Sequence, residues 1–217
     1  METCRCASSG VVLIGSPMGA CTWHAGDGIL FCMRKILLLL WVCLLTPAMM
    51  QGDVADQSAN GFTIKIATFI HAGPSEIYDK LVHHVDAWWS SDHTFSQDAH
   101  NLSIDDKPMG CFCEKLPSNG AVRHAEVIMV MPNKMLVMSG ALGPLQRLAA
   151  TGTLSFVLLP IKDSSRLEVT YAVGGYTSDG INTWAAPVDK VLTEQVGRLK
   201  NYVETGSPEP AGAKKAQ

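Results

Sequence analysis

Few side chains in this sequence are suited to chemistry, and they are scattered. Glu114 follows Phe112 at strand spacing in Cys111-Phe112-Cys113-Glu114, so carboxylate and ring share one face. Inside an apolar hollow, desolvation would raise that carboxyl's pKa and suit it to acid or base work. A strand-end glutamate reaching solvent is the plainer alternative. Tyr171 shares a face with Leu167 and Val169. Its hydroxyl serves either a ligand oxygen or a buried partner. His124 and Glu126 alternate along an apolar stretch and form a candidate polar pair, although apolar neighbours on both sides leave the inward face unassigned.

Other polar groups argue against metal and cofactor chemistry. His83 and His84 are adjacent, so on a helix they diverge by ~100° and serve one ion poorly. His93 and His100 lie in a loop with Asp92 and Asp98, without the spacing of a zinc set. Cys111 and Cys113 alternate on a strand, with Cα atoms ~6.5 Å apart and side chains parallel. Two free thiols are expected there, with a redox or metal pair as the alternative. There is no Ser-His-Asp pattern, phosphate-binding glycine loop or dinucleotide fingerprint, so no metal and no cofactor is expected.

The elements that must position these residues are legible from Phe62 to Glu204. Phe62 to Ile70 alternates as a half-buried strand. Gly73-Pro74-Ser75-Glu76 opens a helix from about Pro74 to His84, with Ile77, Tyr78, Leu81, Val82 and Val85 at helical spacing. Ala87-Trp88-Trp89 reads as a second short helix or turn. Those tryptophans either line a pocket mouth or staple the helix end to a sheet. A polar loop runs from Ser90 to Asn101. Strands follow at Leu102–Asp105, Cys111–Leu116, Val122–Met131 and Met135–Gly140, with a hairpin turn at Pro117-Ser118-Asn119-Gly120. Ala141 to Ala150 reads as a lid-like loop or one helical turn. Gly152–Leu159 and Arg166–Val173 form a further hairpin, and Gly174 to Gly180 is a mobile connection. The last helix carries Trp184, Val188, Val191, Leu192, Val196, Leu199, Tyr202 and Val203 on one stripe. Pro187 falls in its first turn or marks a kink.

Length and charge set the outer bounds. The 217 residues allow one domain plus extra segments, and a net charge of -3 without a basic stripe gives no nucleic-acid footprint. Met33-Arg34-Lys35 followed by Ile36 to Leu45 reads as a signal peptide over residues 33–52, of bacterial type, too short to span a bilayer. Export to a periplasm or medium is therefore expected, with membrane contact only through that segment. Residues 1–32, with Cys4, Cys6, Cys21 and Cys32, are expected to be an early-assigned start or a disordered extension. Residues 53–61 are expected to be a linker and 205–217 a disordered tail.

The element order β-α-α-β(meander)-α resembles the helix-grip fold of the SRPBCC superfamily, which includes START-like proteins and polyketide cyclases, and most of all the branch that also holds the activators of the heat-shock-chaperone ATPase. Ala72-Gly73-Pro74-Ser75-Glu76-Ile77-Tyr78, Ala87-Trp88-Trp89, Pro108-Met109-Gly110-Cys111-Phe112-Cys113-Glu114, Gly152-Thr153-Leu154-Ser155-Phe156 and Arg166-Leu167-Glu168-Val169-Thr170-Tyr171 carry it, over about residues 62–204. The resemblance implies an α+β fold, with a curved antiparallel sheet around a long C-terminal helix and two short helices after the first strand. It brings no catalytic set, because one scaffold hosts many functions.

The functional expectation is a domain binding a small apolar or amphipathic molecule between sheet and terminal helix. Trp88, Phe112, Glu114, Tyr171 and Trp184 are the candidate ligand-binding residues, with Leu142 to Leu148 as a gate. Two rivals are a cyclase- or hydrolase-like enzyme using an acid/base in the same hollow, and a protein-interaction module with a filled interior.

Overall fold

The computed structural model describes residues 52–210. Residues 1–32 and all of the expected signal segment except Gly52 lie outside them. Eight antiparallel strands form one open sheet in the order β1-β2-β8-β7-β6-β5-β4-β3. They are β1 (Gly52–Ser58), β2 (Gly61–Ile70), β3 (Leu102–Ile104), β4 (Cys111–Leu116), β5 (Gly120–Met131), β6 (Met135–Ser139), β7 (Ala149–Ile161) and β8 (Ser164–Tyr176). Three α-helices join them: α1 (Pro74–His83), α2 (Val85–Trp88) and α3 (Ala185–Thr205). The α+β, helix-grip-like architecture is the one expected.

One strand was not expected. From Gly52 to Ser58 the segment taken as a linker pairs antiparallel with β2, so the short helices follow the second strand. Its polar residues alternate too weakly to mark a strand. Most of them are exposed, as suits an edge strand with little to bury. The expected tail also begins in order: Asn201 Nδ2 donates to the Pro208 carbonyl at 3.3 Å, and Arg198 pairs with Glu209 at 2.6 Å.

Alternation builds the core. Phe62, Ile64, Ile66 and Ile70 of β2 face inward beside Leu167, Val169, Tyr171 and Val173 of β8 and Leu154, Phe156 and Leu158 of β7. Ile77, Tyr78, Leu81 and Val82 give α1 its buried face. Leu192, Gln195, Val196, Leu199 and Val203 do the same for α3, which ends at Gly206, a left-handed C-cap (φ 77°). A short 3-10 turn, Ile181–Trp184, precedes α3 and leaves Pro187 in its first turn, where a missing amide proton costs nothing.

Polar clasps fix the helix across the domain. Lys200 Nζ donates to the Phe69 carbonyl at 2.7 Å, and the His71 amide donates to Glu204 at 2.9 Å. Arg198 Nε reaches the Trp88 carbonyl at 2.9 Å, and the Ser90 amide donates to Gln195 Oε1 at 2.8 Å. The C-terminal half of α3 is thus bound to the end of β2 and to the α2 corner. Its N-terminal half faces a hollow.

Candidate functional site

The hollow encloses about 340 Å³. Trp184, Pro187, Val188, Val191 and Leu192 form the α3 wall. Trp89 and the loop Asp92-His93-Thr94-Phe95 form a second. Leu142 to Leu145, leading into the 3-10 turn Gly143–Arg147, form the rim. Phe112 and His124 face it from the sheet. The lining is mostly apolar with few polar groups, the composition expected of a small-molecule site.

The sheet wall depends on an irregularity. Phe112 pairs with Ala125 and Cys113 with Arg123, so His124 is an extra residue in β5. Such a bulge interrupts alternation and re-aims a side chain. His124 and Ala125, consecutive in sequence, are therefore both buried. His124 packs against Phe112 at 4.9 Å between ring centroids and stacks on Phe95 at 5.9 Å. Trp89 meets the edge of Phe112 at 5.3 Å.

Glu114 sits behind this aromatic layer and is 1 % exposed. Its carboxylate accepts hydrogen bonds from the Phe95 amide (3.1 Å), the Ser96 amide and His124 Nε2 (2.9 Å). Burial pushes its pKa up, but the Ser96 and Phe95 amides and His124 outweigh burial and hold it below the usual carboxylate range. Burial likewise depresses the His124 pKa more than Glu114 raises it. The pair is therefore a carboxylate and a neutral imidazole. With Nε2–H directed to Glu114, Nδ1 is the acceptor, and Gln146 Nε2 approaches it at 3.4 Å.

Tyr171 lies one layer deeper. Its hydroxyl donates to the Gly140 carbonyl at 3.0 Å and accepts from the Leu142 amide at 3.0 Å, bracing the rim from β8. Burial pushes its pKa up to about 12, the Leu142 amide offsetting part of the shift.

Of the five candidate residues, Phe112 and Trp184 line the hollow. Trp88, Glu114 and Tyr171 are buried behind it. Trp88 is 2 % exposed, and its Nε1 donates to the Lys80 carbonyl at 3.0 Å, stapling α2 to α1. Trp89 lines the hollow instead. The plainer reading of Glu114, a strand-end carboxylate reaching solvent, is corrected by its burial, and the raised pKa that an apolar hollow would give it is corrected to a lowered one, because backbone amides meet the carboxylate. The expected His124–Glu126 pair is also corrected: Glu126 pairs with Arg123 at 2.8 Å. Run together, Arg123-His124-Ala125-Glu126 breaks two-residue alternation, which is the one sequence signal of the bulge.

Cys111 and Cys113, expected as free thiols, are joined in a disulfide. Their Cα atoms are 5.3 Å apart, closer than alternate residues of a regular strand and within the range a disulfide spans. Among the described residues, no cluster of three His, Cys, Asp or Glu side chains could hold a metal ion. His93 instead pairs with Glu194 at 3.2 Å and His100 with Asp98 at 2.8 Å.

No family model matches the chain, and no curated protein matches it. Solved structures do. A conserved protein of unknown function from Enterococcus faecalis is similar at 15 % identity and a TM-score of 0.50, over 76 % of this chain and 82 % of that one. An uncharacterised protein from Rhizobium leguminosarum is similar at 12 % identity and a TM-score of 0.51, over 72 % and 99 %. Aha1 from Colwellia psychrerythraea, solved as a dimer, gives 18 % identity and a TM-score of 0.45 over 66 % and 96 %, too distant to carry an argument. On the first two likenesses and its own topology the chain has an α+β, helix-grip-like fold.

Proposed function

We propose that this domain binds a small, largely apolar molecule in the hollow between the sheet and the N-terminal half of α3. The observation that carries the reading is the hollow itself: about 340 Å³, walled by Trp89, Phe95, Phe112, Trp184 and aliphatic side chains. That volume lies at the small end of the range for ligand sites, which favours a compact ligand over a long lipid. His124, held neutral beside Glu114, is the buried polar wall against which a ligand dipole would orient. Export, proposed from the segment beginning at Met33, would put the ligand outside the cytoplasm. N-terminal sequencing of the mature protein tests that part.

A neutral apolar fluorophore, N-phenyl-1-naphthylamine, tests binding directly. The wild type is expected to bind it, and Val188→Trp, which fills the hollow from α3, is expected to weaken binding at least about tenfold, with stability changed by no more than ~1–3 kcal/mol. Equal affinity in both proteins would sink the reading. Native mass spectrometry of protein taken from its host would then identify the natural ligand class.

One observation favours an enzymatic reading as the second choice: a neutral buried imidazole oriented by a carboxylate. Proton transfer by His124 would require Gln146 to leave Nδ1. Gln146→Ala is then expected to raise turnover of an acid/base substrate and His124→Gln to abolish it.

A further inference from the structure

We propose that the Cys111–Cys113 disulfide is a thiol–disulfide exchange site whose opening reshapes the sheet wall of the hollow, with a dithiol as reductant. The part concerning the hollow rests on the binding reading above. The bond spans two residues of sequence, and both cysteines are half-buried, within reach of an attacking thiolate. A bridge this local constrains the unfolded chain little, since that effect grows with loop length. Its consequence is therefore local, and its position defines it. The residue it encloses is Phe112, buried against Trp89 and His124. The residue after it is Glu114, which holds the amides of Phe95 and Ser96. The strand outside it, β3, has three residues. On that side little opposes a lengthening of β4 once the clip is open, whereas the β5 ladder on the other side already carries the irregularity between Phe112 and Cys113 that can take up the change.

With the bond closed, the Cys111 and Cys113 Cα atoms are 5.3 Å apart. A regular strand separates alternate residues by about 6.6–6.8 Å. In the reaction, one thiolate of the dithiol attacks a cysteine sulfur, the S–S bond breaks, and a mixed disulfide forms. The second thiol of the reductant then displaces the protein sulfur. The dithiol leaves as its disulfide, having given two electrons, and the protein holds two thiols. β4 can then relax toward regular spacing, carrying Phe112 along the hollow and loosening the Glu114–Phe95 contact.

Dithiothreitol titration of the full chain tests this. Native protein is expected to gain iodoacetamide label at both Cys111 and Cys113 after treatment, located by peptide mass spectrometry because the chain carries five further cysteines. The near-ultraviolet circular dichroism of Trp89 and Phe112 should change while the far-ultraviolet spectrum holds. The Kd for N-phenyl-1-naphthylamine should shift at least about threefold. Cys111→Ser/Cys113→Ser should match the reduced wild type and ignore reductant. If that variant does not fold, reduced wild type makes the same comparison. A bond that resists dithiothreitol until the protein unfolds overturns the inference, as do identical spectra and Kd in both states. A spectral change with no probe binding in either state upholds the exchange site and overturns the binding reading instead.

Discussion

Glu114 and His124 show how burial and hydrogen bonding divide control of a buried acid and a buried base. Removing the charge should be costly, because two backbone amides and an imidazole lose their acceptor. Glu114→Gln is expected to destabilise by about 2–4 kcal/mol in urea denaturation. The pH dependence has a definite sign. Burial holds the folded His124 pKa below its ordinary 6.5, so between those values the unfolded chain binds a proton the folded one does not. Its contribution is complete above pH 6.5 and is lost on acidification, at no more than ~1.4 kcal/mol per pH unit. Glu114, also depressed, contributes above its ordinary 4.5 and is lost as pH falls further. Denaturation midpoints from pH 8 to 3 should show both losses, and His124→Gln should lack the first.

Strand β8 and the rim meet at Tyr171, whose hydroxyl bonds both Gly140 and Leu142. Tyr171→Phe should cost about 1–2 kcal/mol and speed hydrogen exchange at the Leu142 amide. Gly152, diagonally across on β7, has no room for a side chain: an added Cβ would lie 2.6 Å from Tyr171 Cε2. Gly152→Ala should therefore displace the ring and destabilise by about 1–3 kcal/mol, measured by thermal unfolding. This is also the scale at which the sequence is most and least readable. Strands β2, β7 and β8 alternate cleanly, and α3 keeps one apolar stripe, so their inward faces follow from spacing. β1 does not, because a polar edge strand leaves no apolar period. The site does not either, because the extra residue at His124 shifts the following positions to the other face. Spacing placed Phe112 and Glu114 together correctly, yet it could not say that Glu114 meets amides of a loop 18 residues away in sequence. Between Trp88 and Trp89, helical spacing alone does not choose; Trp88 Nε1 donates back to the Lys80 carbonyl of α1, whereas Trp89 Nε1 donates to the His93 carbonyl of the loop that walls the hollow.

Over the whole molecule, α3 has two ends with different surroundings. Its C-terminal half is clasped to β2 and the α2 corner, while its N-terminal half borders open space. Leu199→Ala, in the clasped half, should cost about 2–5 kcal/mol, whereas Val188→Ala, facing the hollow, should cost much less. Comparison of their guanidinium midpoints checks the asymmetry. The β4–β5 ladder skips the added histidine: Phe112 and Cys113 find partners at Ala125 and Arg123 on either side of it. A one-codon deletion at that position is therefore expected to close that ladder into even steps and keep the strands while erasing the imidazole, leaving the architecture without its buried base.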